Sequence, residues 1–90
     1  MLKLTPTNQF KKDYKLAIRR GYKPQKLSQI LDILCSGNEL SAKYKDHSLT
    51  NSKKYKDVRE CHIEPDWLLI YRIDKTSVHL IRTGTHSDLF

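Results

Sequence analysis

Val58-Arg59-Glu60-Cys61-His62-Ile63, Trp67-Leu68-Leu69-Ile70-Tyr71-Arg72-Ile73 and Ser77-Val78-His79-Leu80-Ile81-Arg82-Thr83 are three runs separated by Glu64-Pro65-Asp66 and by Asp74-Lys75. The outer two alternate apolar with polar residues, the signature of a strand with one buried face. The middle run is apolar or aromatic at nearly every position, as in a strand covered on both sides. Proline and aspartate at the breaks are turn formers, so the runs are expected to be strands joined in sequence order. Further toward the N-terminus the period changes. Phe10, Tyr14, Ala17 and Ile18 recur at the spacing of one helical face, with Thr7 or Asn8 to cap the start and Gly21 to end it. Pro24, tolerated in a first turn, opens a second such pattern of Leu27, Ile30, Leu31 and Leu34 that stops at Gly37. Only Gly21 to Lys23 lies between, which predicts an antiparallel helical hairpin. Leu2-Lys3-Leu4 reads as a short edge strand, and Asn38 to Lys56 as a long irregular connection. The order β-α-α-β-β-β predicts a single α+β domain over residues 1–90, with the hairpin packed on one face of a mostly antiparallel sheet.

Composition narrows the partners. The 90 residues are 38% hydrophobic and carry 17 Lys and Arg against 10 Asp and Glu, a formal net charge of +7. Such an excess suits a polyanion or an acidic protein segment. The longest apolar run, Trp67 to Tyr71, is far below the ~20 residues of a spanning helix, and no apolar stretch follows Leu4 to form a secretory signal. Cys35 and Cys61 are too few for a disulfide framework and too far apart for a CxxC site. A reduced, cytoplasmic setting is expected.

Strand alternation sorts the polar side chains. Val58, Glu60, His62 and Glu64 are expected on one face of their strand, with Arg59, Cys61 and Ile63 on the other. Val78, Leu80 and Arg82 are expected to share a face that His86 joins if the chain stays extended through Gly84. His79 falls opposite. Asp66 belongs at the rim of this cluster, and His47 lies in a loop able to fold over it. Three imidazoles, two carboxylates and an arginine on a basic domain suit RNA cleavage. The 2′-hydroxyl is a built-in nucleophile that needs a base, the departing 5′-oxygen needs an acid, and the phosphate needs a cation. Imidazole is accessible in both protonation states near neutrality, and the planar guanidinium fork matches two phosphate oxygens. This scheme requires no metal. A zinc site from His47, His62, Asp66 and His86 is conceivable, but the spacing matches no recognised ligand pattern.

Three segments carry a family resemblance: Tyr44-Lys45-Asp46-His47; Glu60-Cys61-His62-Ile63-Glu64-Pro65-Asp66-Trp67 with Tyr71 beyond; and Arg82-Thr83-Gly84-Thr85-His86-Ser87-Asp88-Leu89-Phe90. Together they resemble the YafQ branch of the RelE/ParE toxin superfamily, essentially end to end. The resemblance implies the RelE-like, microbial-RNase-like α+β fold and the toxin of a type II toxin–antitoxin pair. It implies an endoribonuclease that cuts mRNA in the ribosomal A site, held in a hetero-oligomer by an antitoxin of the DinJ/RelB kind. By position, His47, His62, Asp66 and His86 match the family's catalytic side chains, Arg82 its phosphate-stabilising arginine, and Phe90 its substrate-positioning aromatic. Glu60 stands where the closest relatives have Asp. Between His47 and His62 the family often reads Leu-x-Gly-x-Trp, whereas this chain has Leu49-Thr50-Asn51-Ser52-Lys53-Lys54-Tyr55. Lys53, Lys54, Lys56 and Arg59 are therefore candidate RNA contacts. Two rival readings are a ParE-like gyrase inhibitor without nuclease activity and a plain basic nucleic-acid-binding module. Neither has a use for clustered acid–base groups.

Overall fold

The computed structural model describes residues 1–49 and 57–90. Strands β1 (Lys3–Pro6), β2 (His47–Ser48), β3 (Arg59–Glu64), β4 (Trp67–Ile73) and β5 (Ser77–Gly84) form one sheet in the order β1-β5-β4-β3-β2. All neighbours are antiparallel except β1 and β5, which run parallel. Helices α1 (Asn8–Arg19) and α2 (Pro24–Cys35) lie between β1 and β2 in sequence, and a one-turn helix α3 (His86–Leu89) closes the chain.

Local chemistry sets the helix ends. The Thr7 hydroxyl accepts the Phe10 amide and caps α1. Gly21, at a φ of +90°, ends it, with Gly21 and Tyr22 amides donating back to the Ile18 and Ala17 carbonyls. That turn delivers the Tyr22 ring to the Trp67 indole, stacked at 4.8 Å between centroids.

Strand β4 is central and sandwiched. Trp67, Leu69 and Tyr71 join Phe10, Ala17, Leu27, Ile30 and Leu34 in the larger core beneath the two long helices. Leu68 and Ile70 face the other way and form a second buried cluster with Val58 and Leu89. This is why the run from Trp67 to Tyr71 shows no alternation: both of its faces are dry.

Several expectations need correction. The apolar stripe of α1 runs through Phe10, Tyr14 and Ala17, but Ile18 is 38% exposed and Asp13 is buried instead. The stretch after Asn38 is not wholly irregular: a 3-10 turn (Ala42–Tyr44) and β2 occupy part of it. Two residues paired to a neighbour carry no periodicity, which is why the pattern missed them. The edge strand is displaced to Lys3–Pro6. The chain does not stay extended past Gly84. The Thr85 hydroxyl and Asp88 carboxylate form a reciprocal capping box that starts α3, so His86 sits on a helix.

Candidate active site

Two register shifts decide which side chains meet. Glu60 lies opposite Ile70 and His62 opposite Leu68, so both project on the face of the smaller core, as expected. Between His62 and Glu64 the pairing slips, and Glu64 ion-pairs with Lys26 of α2 on the helix side. It therefore leaves the Glu60–His62 face. In β5 a slip at Ile81 places Arg82 opposite Ile70, whereas Leu80 is opposite Tyr71. Arg82 thus parts from Val78 and Leu80, with which it was expected to share a face. Glu60, Ile70 and Arg82 now form one row across three strands, Arg82 roughly 10 Å from Glu60 at ordinary strand spacing.

Within this frame the imidazoles converge. His47 pairs across the strands with Glu60, and its Nε2 lies 3.2 Å from Glu60 Oε1. His62 Nε2 faces the same oxygen at 3.7 Å, while its Nδ1 lies 3.3 Å from the Pro65 carbonyl oxygen. Glu60 is only 5% exposed, so its charge is directed at these two rings. From the turn after β3, Asp66 Oδ1 accepts both the His86 backbone amide at 3.1 Å and His86 Nδ1 at 2.9 Å. Those hydrogen bonds hold the Asp66 carboxyl below its ordinary range. They also engage His86 Nδ1, so Nε2 is the ring nitrogen turned away from Asp66. The His62 and His86 rings are 5.7 Å apart, and Phe90, 57% exposed, approaches His86 at 6.5 Å.

The arginine is held by a residue that sequence reasoning missed. Asp13 accepts from Arg82 Nε at 2.8 Å and Nη2 at 3.0 Å, from the Thr83 amide at 3.2 Å and from the Gln9 side chain at 3.1 Å. Burial alone would raise its pKa, but the hydrogen bonds from Arg82, Gln9 and Thr83 outweigh it and the net direction is down. The available signal was an acid among the lysines of α1, three residues beyond Phe10 and four before Ala17, on the stripe that must face the sheet.

Other candidates fall elsewhere. Arg59 donates to Asp46, which also accepts from the Tyr71 hydroxyl at 2.6 Å, on the face opposite the imidazoles. Its bonds tether the segment that carries His47 instead. His79 is bonded to Asp74 at 2.7 Å, beside the β4–β5 turn. Lys53, Lys54 and Lys56 lie outside the described residues. The ligand atoms of His47, Glu60 and His62 lie within 4.8 Å of one another, close enough to share a divalent cation. Such an ion would engage the Nε2 atoms of His47 and His62, which both face Glu60 Oε1.

This geometry has relatives. Residues 2–90 match the family model described as the bacterial toxin of type II toxin–antitoxin systems, YafQ. The chain belongs to the YafQ family. It is 42% identical over 85 residues to the mRNA interferase toxin YafQ of Escherichia coli BL21-DE3, an alignment covering 93% of this chain and 90% of that one. Among solved structures, the E. coli DinJ–YafQ complex superposes with a TM-score of 0.89 at 40% identity, over 100% of this chain and 99% of the other. A metal-bound toxin from Helicobacter pylori gives 0.91 at 39% identity, over the whole of both chains. YafQ-family membership and the α+β fold thus agree with the resemblance drawn from the sequence. Among the described residues no helix is long and apolar enough to cross a membrane.

The site also predicts an acid limit to stability. The Arg20 guanidinium and the Thr85 amide hold the Asp88 carboxyl at about 2, against an ordinary 3.8. A carboxyl depressed by folding contributes stability that is present above its unfolded pKa and lost as pH falls toward the folded one. Melting temperature should therefore drop between about pH 4 and pH 2. Asp88→Asn should melt lower at pH 7 and show a shallower acid limb. Parallel limbs for the two proteins would show that Asp88 does not carry the effect.

Proposed function

We propose that this chain is the endoribonuclease toxin of a type II toxin–antitoxin pair, working in the cytoplasm on mRNA in the ribosomal A site. The observation that carries the reading is the convergence of His47, His62 and His86 with Glu60 and Asp66 on the sheet face that also holds Arg82. One imidazole takes the 2′-hydroxyl proton as that oxygen attacks phosphorus. Another protonates the departing 5′-oxygen, leaving a 2′,3′-cyclic phosphate and a 5′-hydroxyl. His62 and His86 each have Nδ1 beside a protein oxygen, so each can present Nε2 to the RNA. Arg82, gripped by Asp13 through Nε and Nη2, supports the phosphate, and Phe90 flanks the scissile nucleotide. An acidic, DinJ-type antitoxin segment suits the +7 surface and is expected to silence the enzyme, ordering as it binds.

Primer extension on translated mRNA, run beside a gyrase supercoiling assay, tests this. New 3′ ends within codons with gyrase unaffected are expected. Gyrase inhibition without RNA ends would establish the ParE-like reading instead.

Metal independence is a separate expectation. Cleavage should persist with a zinc-selective chelator that leaves ribosomal Mg²⁺ in place. Added zinc should inhibit, because an ion on His47, Glu60 and His62 occupies the His62 Nε2 that this scheme presents to the RNA. Stoichiometric zinc in the purified protein, with activity lost on its removal, would reverse this reading.

A further inference from the structure

A cleft of about 350 Å³ opens beside His62, on the side of the sheet edge that β2 leaves uncovered. Strand β2 pairs with Arg59 and Glu60, and among the described residues no strand lies beside the edge of β3 beyond Glu60. The 3-10 turn Ala42–Tyr44 stands off that edge, and His62, Pro65, Tyr44, Lys43, Lys45 and Lys26 line the space between. We propose that this cleft seats the RNA nucleotide next to the cleaved bond, its base on Tyr44 and its phosphate between Lys43 and Lys45. The proposal rests on the endoribonuclease reading and extends it to a subsite.

The charges are arranged for an anion. Lys26 is neutralised by Glu64, but among the described residues no carboxylate pairs with Lys43 or Lys45. Two lysines therefore line a cleft whose one acid is already engaged. The platform is firm as well. The Tyr44 ring is half-buried and packs on the main core, so it keeps one orientation without a substrate. Lys43 Nζ lies 4.9 Å from the centre of that ring. In the free protein the ammonium thus occupies the aromatic face that a base would take. Entry of a base releases it toward the phosphate, so one lysine serves as placeholder and then as contact. The turn is held in place by Lys45, which adopts a left-handed φ of 50° while its amide donates to the Ala42 carbonyl. An aromatic face bordered by mobile cations is the ordinary means of holding single-stranded RNA without reading its sequence. The cleft also shares His62 with the imidazole cluster, so a nucleotide in it adjoins that cluster.

Two measurements test the subsite. In the first, ribosomes carry an mRNA made uncleavable by a 2′-deoxy nucleotide at the cut site, with 4-thiouridine on either side. Irradiation with the wild-type toxin should crosslink one flanking nucleotide to the 42–45 segment. In the second, single-turnover cleavage compares wild type with the double variant Lys43→Gln/Lys45→Gln and with Tyr44→Leu. The double variant should need about tenfold more toxin for half-maximal rate, with the maximal rate within about threefold. Tyr44→Leu, which keeps apolar packing against the core but loses the stacking ring, should show the same shift. Lys75→Gln, in the remote β4–β5 turn, controls for bulk charge. The subsite is overturned if the double variant behaves like Lys75→Gln, or if crosslinks map only outside the cleft while wild type still cuts. Failure of wild type to cut any translated mRNA sinks the nuclease reading itself.

Discussion

His62→Ala and His86→Ala are each expected to lower single-turnover mRNA cleavage by ~10²–10⁴-fold while leaving the fold intact. The size follows from the loss of a positioned acid or base, and the intact fold from where the rings sit. The His86 side chain is about half exposed and touches Asp66 and Phe90 rather than core residues. His62 borders Glu60 and the Pro65 carbonyl, so its removal leaves a polar notch that water can fill. The two variants can also be told apart. RNA with a 5′-sulfur leaving group needs little protonation, so it should restore the variant that lost the acid and leave the one that lost the base impaired. His79→Ala, which removes only the ring bonded to Asp74, should cut at the wild-type rate. Cleavage within about threefold of wild type for both His62→Ala and His86→Ala would remove them from the chemistry.

Asp13→Ala should produce the largest loss of stability among single polar substitutions, about 3 kcal/mol. Asp13 is 9% exposed and accepts four hydrogen bonds, two of them from Arg82. Truncation leaves the Thr83 amide and the Arg82 fork without that carboxylate, next to the Trp67–Thr83 hydrogen bond that fastens β4 to β5. For a domain of this size the change corresponds to a fall in Tm of roughly 15 °C. Activity should fall too, because Arg82 loses the partner that aims it. Stability and activity can be separated by removing both charges. Asp13→Leu/Arg82→Met should recover most of the lost stability, since an apolar pair replaces a buried ionic one, yet stay catalytically poor. A double variant as active as wild type would show that Arg82 is structural only. Thermal melts with single-turnover rates on the same preparations decide it.

The sheet face bearing Glu60 and His62 was legible because alternation along one strand is a local property. The same reasoning failed for Glu64 and Arg82, where one extra residue in a strand reverses every side chain beyond it. The slips at Ile63 and Ile81 leave no mark in residue type. They are set by how neighbouring strands and helices pair, which sequence period does not contain.

The sequence by itself determined the two long helices, the three central strands and the turns between them, and it named His47, Glu60, His62, Asp66 and His86 as candidates. Each of these is encoded within a few residues, through period, caps and turn formers. The third helix was within reach of the same logic, since Thr85 and Asp88 form a local capping box, but four residues are too few to show a helical period. Tertiary structure alone decided that His47 enters the sheet as β2, that Asp13 turns inward to hold Arg82, and that Arg59 serves a loop tether on the opposite face. In each case the partner lies at least 13 residues away: Glu60 for His47, Arg82 for Asp13, Asp46 for Arg59. A polar side chain is drawn to such a partner because burying it unpaired costs more than the contact yields, and pairings of that range exist only once the chain has folded.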